Sequence, residues 1–235
     1  MTTTGAGRPR LKTRTRPGAT ARDEILDASA ELFTTRGFTG TSTRMIADAV
    51  GIRQASMYHH FATKDDILAA LLLDTVTAPL ACAEALERDC RDPVVRLYAL
   101  TLFDAAQLAE SRWNLGALYL LPEVTTDRFA EFRSLRIELM ALYTEFALEA
   151  IAVIGDPDVG PEAASLPFRL VEATINARSD AAVDRSDAPA QAPAPDLVAD
   201  SVLRVLGRSG PATEVRAVAR AELDRLTGSC PQPRR

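Results

Sequence analysis

The sequence predicts an all-α chain, and three observations carry that expectation. Helix-start signals recur: Thr20-Ala-Arg-Asp23 and Thr63-Lys-Asp-Asp66 are capping boxes, and Asp92-Pro93 is an N-cap followed by proline at the first helical position. After each start, apolar residues return every three or four positions, the period of a helix with one buried face. No stretch reads convincingly as a strand, and no internal repeat is present.

The elements follow in order. Residues 1–19 are rich in Thr, Gly, Pro and Arg, lack periodicity and read as a disordered basic arm. At Thr20 the hydroxyl accepts from the N–H three residues on, while the Asp23 carboxylate reaches back. Ile25, Ala28, Ser29, Leu32 and Phe33 then keep helical spacing until Gly37. Thr41 or Ser42 caps a second helix to about Val50, Gly51 turns the chain, and a third helix covers about Arg53 to His60. The second capping box opens a long helix through Leu68, Leu71 and Leu72. These elements define a first domain over 20–70. A larger helical domain occupies 71–228, followed by a polar tail at 229–235.

The larger domain is expected to hold several further helices. Val94, Leu97, Tyr98, Leu100, Thr101 and Leu102 begin one that ends near Glu110. "SRWNLGALYLL" is apolar nearly all round until Pro122, which reads as a buried helix or one lining an internal space. Phe129, Phe132, Leu135, Leu139, Leu142 and Phe146 mark one face of a long helix to about Ile154. Phe168, Val171 and Ile175 mark another. Residues 183–195 form a Pro/Ala linker, with two shorter helices beyond it at about 196–207 and 212–227.

Composition narrows the function classes. With 235 residues and 47% hydrophobic content the chain can bury a core. No run approaches the roughly eighteen uncharged apolar residues of a membrane span. The N-terminal arginines have no apolar segment behind them, unlike a secretory signal, so a cytoplasmic protein is expected. Cys82, Cys90 and Cys230 fit a reducing compartment. On one helix Cys82 and Cys90 would lie roughly 12 Å apart at about 1.5 Å per residue, too far for a disulfide. The net charge of −5 is uneven: residues 1–68 carry ten Arg/Lys against seven Asp/Glu. Arg8, Arg10, Lys12, Arg14, Arg16 and Arg22 precede the first acid. A basic arm on an acidic protein suggests contact with a polyanion; a solubilising tail is the simpler alternative.

The stretch "TSTRMIADAVGIRQASMYHHFATKDDIL", 41–68, decides between these classes. Two helices of about eight residues joined by a glycine turn make a helix-turn-helix, whose second helix enters the major groove. Ala47 is small where the helices cross, and Ile46, Ile52 and Met57 supply a core. Gln54, Ser56, Tyr58 and His59 are left on the exposed face. The two histidines are adjacent, so they point about 100° apart on a helix, and no third ligand is near; no metal or cofactor is expected.

The same stretch resembles the DNA-binding domain of the tetracycline-repressor (TetR) family of one-component regulators. The matching positions are Arg44, Ile46, Ala47, Val50, Gly51, Ile52, Met57, Tyr58, His60, Phe61 and Lys64. The resemblance covers about 20–70, and the remainder matches by length and helical content. It implies phosphate contacts from Thr43, Tyr58 and Lys64, and base contacts from Arg44 and Gln54. Arg forks onto guanine O6/N7 and Gln onto adenine N6/N7, each worth about 1–3 kcal/mol of discrimination. Ser56 adds a hydroxyl, Ala55 approaches the groove closely, His59 replaces the aromatic or basic residue often found there, and His60 holds the common family histidine. Taken singly, Arg44 also fits an ordinary exposed charge and Tyr58 a half-buried core aromatic.

The resemblance further implies a homodimer on a palindromic double-stranded operator and a small-molecule effector in the larger domain. Repression released by that effector is the expected function; a ligand-independent DNA binder and, more remotely, a helical enzyme are the alternatives. No enzyme is expected, because both histidines lie in the recognition helix and no Gly-x-Ser-x-Gly elbow or phosphate loop occurs. Phe103, Trp113, Tyr119, Phe132 and Tyr143 are candidate pocket walls, together with Phe129, and Gln107, Asn114, Arg136 and Asn176 are candidate orienting groups. Each aromatic alone also fits plain core, and Arg136 also fits a side chain snorkelling to solvent. The dimer interface is expected on 165–182 and 196–207, with Phe168, Val171, Ile175, Leu197 and Leu203 as candidates.

Overall fold

Helices begin where the sequence supplies a side-chain cap. The computed structural model describes residues 16–183 and 192–226, and no strand occurs among them. Thr20 Oγ1 accepts from the Asp23 N–H at 3.2 Å while Asp23 accepts from the Thr20 N–H at 3.0 Å, opening α1 (Ala21–Arg36). Ser42 caps α2 (Thr43–Val50), accepting from the Met45 N–H at 3.2 Å. Thr41 is buried instead, and its hydroxyl donates to the Gly37 carbonyl at 2.9 Å. Gly51 closes α2 in the left-handed region at φ 74°, a conformation that a side chain disfavours. The α-helical part of α3 is short, Gln54–Met57, with further turns carrying the chain to Phe61. The second capping box opens α4 (Lys64–Asp89). The Asp92 carboxylate accepts from the Val94 and Val95 N–H groups at the head of α5 (Pro93–Glu110).

The chain divides into two compact units between Leu71 and Leu72. In the first, Ile25, Ala28, Phe33, Phe38, Ile46, Ala47, Met57, Phe61, Ile67 and Leu68 are buried. Phe33 and Phe38 meet edge-on with ring centres 5.1 Å apart. Arg16 is tied down, in contrast to the expectation for the arm: it pairs with Asp27 at 2.8 Å and Glu31 at 2.7 Å and donates to the Ala49 carbonyl at 3.1 Å. Two acids on the buried-side edge of α1 compete for this guanidinium more effectively than water does. Residues 1–15, with Arg8, Arg10, Lys12 and Arg14, lie outside the described residues.

The second unit is organised on α5, which packs against α6 (Ala130–Ile154), α7 (Leu166–Val183), α8 (Pro195–Val205) and α9 (Thr213–Leu226). Having neighbours on several sides explains its apolar character round the helix: Val94, Leu97, Tyr98, Leu100, Ala105 and Leu108 are all buried. Polar clamps fix the last helices onto it. Tyr98 donates to Asp200 at 2.8 Å, and Arg216 joins both at 3.1 and 2.6 Å. Burial pushes the Tyr98 hydroxyl pKa up to about 12, which keeps it a donor.

Two expectations are corrected here. "SRWNLGALYLL" is not one buried helix; it forms a 3-10 segment over Leu115–Leu120, and Leu120 is 89% exposed. Asn114 explains the break, because its amide donates to the Ile175 carbonyl at 2.9 Å and to Ser179 Oγ at 3.0 Å, tethering the chain to α7. Gly116 then lies so close to α7 that an added Cβ would fall 2.4 Å from Ile175 Cδ1. Of the proposed interface residues, Phe168, Val171, Ile175 and Leu203 are buried in the protomer's own core, leaving Leu197 exposed. The linker over 184–191 and the tail from 227, including Cys230, lie outside the described residues. Cys82 and Cys90 are buried and unbridged.

Candidate functional site

The exposed edge of α2 and α3 gathers three polar groups from different turns. Gln54 Nε2 donates to Thr43 Oγ1 at 2.9 Å and to the Tyr58 hydroxyl at 3.3 Å, and the two hydroxyls lie 3.2 Å apart. Thr43 starts α2, Gln54 starts α3 and Tyr58 ends it, so this triad fixes the pitch of the short α3 against α2. Arg44 beside it is 82% exposed, with only a loose 3.9 Å pairing to Asp48. Exposed ion pairs of this kind contribute about 0–1 kcal/mol, so Arg44 is readily available to another anion or to a base edge. Ala55, Ser56, His59 and His60 are all exposed, while Met57 points into the core.

Lys64 has a different environment. Its ammonium donates to the carbonyls of Phe38 at 2.7 Å and Thr41 at 2.9 Å and lies 4.1 Å from the Phe38 ring centre. It therefore bolts the loop before α2 to the start of α4, with one of three donors left. Sequence reasoning passed over Arg53, which is exposed immediately before Gln54. Its signal was present: a basic residue at the N-cap of α3.

In the second unit the structure brings Gln107, Tyr119, Phe132, Arg136 and Tyr143 into one cluster. Tyr119 and Phe132 have ring centres 5.2 Å apart, and Tyr143 and Phe168 5.5 Å. Arg136 lies against Tyr119 and Phe168 at 5.6 and 5.3 Å and pairs with Glu172, so its guanidinium is held by an ion pair and two rings while remaining partly exposed. Phe129 and Phe103 are respectively buried in the second unit and half-buried against its core. Trp113 stacks with Arg112 at 4.8 Å, Asn114 is the tether to α7, and Asn176 is exposed. Asn176 follows buried Ile175 by one residue and so turns about 100° away from the interior.

Three members of the cluster were not anticipated: Thr75, Asp104 and Glu172. Pro79 sits inside α4 and lacks the N–H that would bond the Thr75 carbonyl. Gln107 Nε2 fills that role at 2.8 Å, while Tyr119 donates to Thr75 Oγ1 at 2.6 Å. The other end of the Gln107 amide, Oε1, is buried without a partner. Asp104 is buried and accepts from the Tyr143 hydroxyl at 3.2 Å. Burial, with Glu172 nearby, raises its pKa to about 7. Burial also raises the Tyr119 and Tyr143 pKa values, keeping both hydroxyls protonated. Asp104 could have been singled out in the sequence as an acid in the middle of a mostly apolar helix.

A unit of three helices with an exposed polar face on its second and third, followed by a larger helical unit with a polar and aromatic interior, defines the class of helix-turn-helix proteins with an appended helical domain. Residues 25–71 match the tetR family of bacterial regulatory proteins. The crystal structure of Mycobacterium smegmatis AmtR is 54% identical, covers 90% of this chain and 98% of that one, and superposes with a TM-score of 0.81. The chain belongs to the tetR family. The transcriptional repressor KstR2 of Mycolicibacterium smegmatis is 38% identical over 76 residues, 26% of this chain and 37% of that protein. The matched region spans less than half the length of such curated relatives. AibR, solved with isovaleryl coenzyme A and operator DNA, shares the fold at TM-score 0.60 and 20% identity, covering 77% of this chain and 95% of that one.

Proposed function

We propose that the chain is a cytoplasmic, homodimeric repressor that binds a palindromic operator and leaves it when a small molecule occupies the second unit. The observation that carries the reading is the exposed Thr43–Gln54–Tyr58 triad flanked by the loosely paired Arg44. In this reading Thr43 and Tyr58 hold phosphates, Arg44 and Gln54 read base edges, and Ala55, Ser56, His59 and His60 complete the face. To fork onto adenine, the Gln54 amide exchanges its bonds to Thr43 and Tyr58 for the base. Lys64 keeps the loop before α2 in place and offers its remaining donor to a phosphate. The protein is a regulator and carries out no turnover of its own.

Two copies are required because one short α3 spans only a few base pairs, whereas a two-fold dimer reads an inverted repeat. The exposed apolar side chains Ile137, Leu148 and Val153 on α6, with Leu197 and Val205 on α8, are the faces available for pairing. Control runs through α4, which begins at Lys64 in the first unit and carries Thr75 and Pro79 in the second. A ligand that engages Gln107 or Tyr119 changes the partners of Thr75 and so the set of α4. A thousandfold loss of operator affinity requires about 4 kcal/mol of preference for the released conformer.

Selection of bound duplexes from a random DNA library tests the reading. The expected product is an inverted repeat with half-site grooves about 34–36 Å apart, or a multiple of that. Recovery of no enriched sequence, or of a single half-site by a monomer in light scattering, refutes it.

A further inference from the structure

We propose that the buried carboxyl of Asp104 is the anchor for a small organic cation, an effector bearing a primary ammonium or amidinium group, within the second unit. The inference rests on the reading of that unit as a sensor and names the chemistry it would sense.

The charges in the cluster are unequally matched. Glu172 has two cationic partners, Arg136 inside and Arg169 at 3.1 Å on the outer side. Asp104 has no ion pair among the described residues; its bond is to the Tyr143 hydroxyl, which also lies 3.3 Å from the Leu100 carbonyl. One hydroxyl proton thus serves two acceptors. One helical turn along the same face of α5, Gln107 Oε1 is a second acceptor, buried and unpartnered. Both side chains are more than nine-tenths buried. A buried carboxylate and a buried amide oxygen at i and i+3 offer two acceptors to one donor-rich group, and an ammonium or amidinium carries several N–H donors with the charge that Asp104 lacks. Aromatic rings complete the fit. The cluster already holds one cation over aromatic rings, Arg136 against Tyr119 and Phe168.

The groups that face Asp104 are Tyr143 on α6 and Glu172 on α7, with Tyr119 before α6 and Cys82 of α4, beside Tyr143, next to them; Arg136 acts on Tyr119 and pairs with Glu172. Without a cation, burial and Glu172 hold Asp104 protonated to about pH 7. Cation binding takes that proton off, so amine affinity rises about tenfold per pH unit below 7 and levels off above it.

The test uses the full chain, without DNA. Thermal unfolding is followed with benzylamine and benzamidine, with benzyl alcohol as the neutral match and benzoate as the anionic one, and with the shorter butylamine against butanol. The expected result is saturable stabilisation by at least one amine or amidine, at least tenfold tighter than its neutral match. Affinity should fall from pH 8 to pH 6, and Asp104→Asn should abolish the preference for the amine over its alcohol. Stabilisation by benzoate in place of the cations overturns the proposal and makes Arg136 the anchor. So does a series in which no cation exceeds its alcohol, or one in which Asp104→Asn binds the amine as tightly as the parent. A separate operator titration with the same amine tests the regulatory reading: an amine that binds through Asp104 without changing DNA affinity leaves the ligand chemistry standing and removes the coupling.

Discussion

Gln107→Leu should destabilise the second unit, and Pro79→Ala should cancel most of that loss. Pro79 has no N–H, so the carbonyl of Thr75 four residues earlier has no helical donor. Gln107 Nε2 supplies one at 2.8 Å, in a site where both groups are buried. Leucine keeps the volume and removes the donor, leaving a buried carbonyl unsatisfied at a cost of about 1–3 kcal/mol. It also removes Oε1, itself unpartnered, so the net loss belongs in the lower half of that range. Alanine at 79 restores the backbone N–H and with it the bond to Thr75. A double-mutant cycle measured by urea unfolding isolates the effect. Gln107→Leu should cost at least 1 kcal/mol more in the parent than in the Pro79→Ala background, a coupling well above the error of such cycles. Equal costs in the two backgrounds would refute the compensation and leave Gln107 as an ordinary buried amide.

Arg44→Ala and Gln54→Ala should each weaken operator binding by about 1–3 kcal/mol per half-site and relax preference at one base position, read from binding to single-substituted operators. A uniform loss across those operators would move the residue to the phosphate backbone. If the dimer neutralises roughly 8 phosphates, log K against log salt should slope at about −7, and deletion of residues 1–15 should flatten it; Arg16 belongs outside that deletion because Asp27 and Glu31 already hold it. Lys64→Met should lower the unfolding temperature of the first unit and weaken all DNA sequences alike, since it frees the carbonyls of Phe38 and Thr41. Stability should fall as pH rises from about 4 to 7 and then level. Over that range the native state keeps the Asp104 proton, to about 7, that the unfolded chain has lost, and at about 1.4 kcal/mol per unit the total approaches roughly 4 kcal/mol. Asp104→Asn should abolish that slope in urea unfolding measured from pH 5 to 8.

What the sequence disclosed follows from the range of the forces involved. Caps are local: Thr20 with Asp23, Thr63 with Asp66 and Asp92 with Pro93 act within four residues, and each helix began where they stood. The exposed polar face of α2 and α3 was legible for the same reason, because a short amphipathic helix keeps polar groups outside over a small core such as Ile46 and Met57. Local reading failed where a distant partner intervened. "SRWNLGALYLL" has the composition of a buried helix, but Asn114 is held by α7 some sixty residues away, and Gly116 lets that helix approach. Phe168, Val171 and Ile175 marked an apolar face correctly. Spacing alone does not say whether such a face meets its own core or a second copy, and here it meets the core.

The interior cluster shows the same limit at the level of single groups. Rings could be nominated from helical spacing, and Tyr119, Phe132 and Tyr143 do meet there. The polar members follow from demands that arise only after folding. Thr75 enters because Pro79 leaves its carbonyl without a donor, and Gln107 enters because it answers that demand from α5. Gln107 meets it with one end of its amide, so the opposite end is left in the interior as an acceptor, one turn from a carboxyl that also lacks a cation. The missing backbone donor at Pro79 in α4 and the acceptor pair on α5 are therefore linked through one side chain. A ligand that draws Gln107 Oε1 towards itself would pull on Nε2 as well, and a shift of a few tenths of an ångström in a 2.8 Å bond would be felt at the Thr75 carbonyl, which Pro79 leaves without a helical donor.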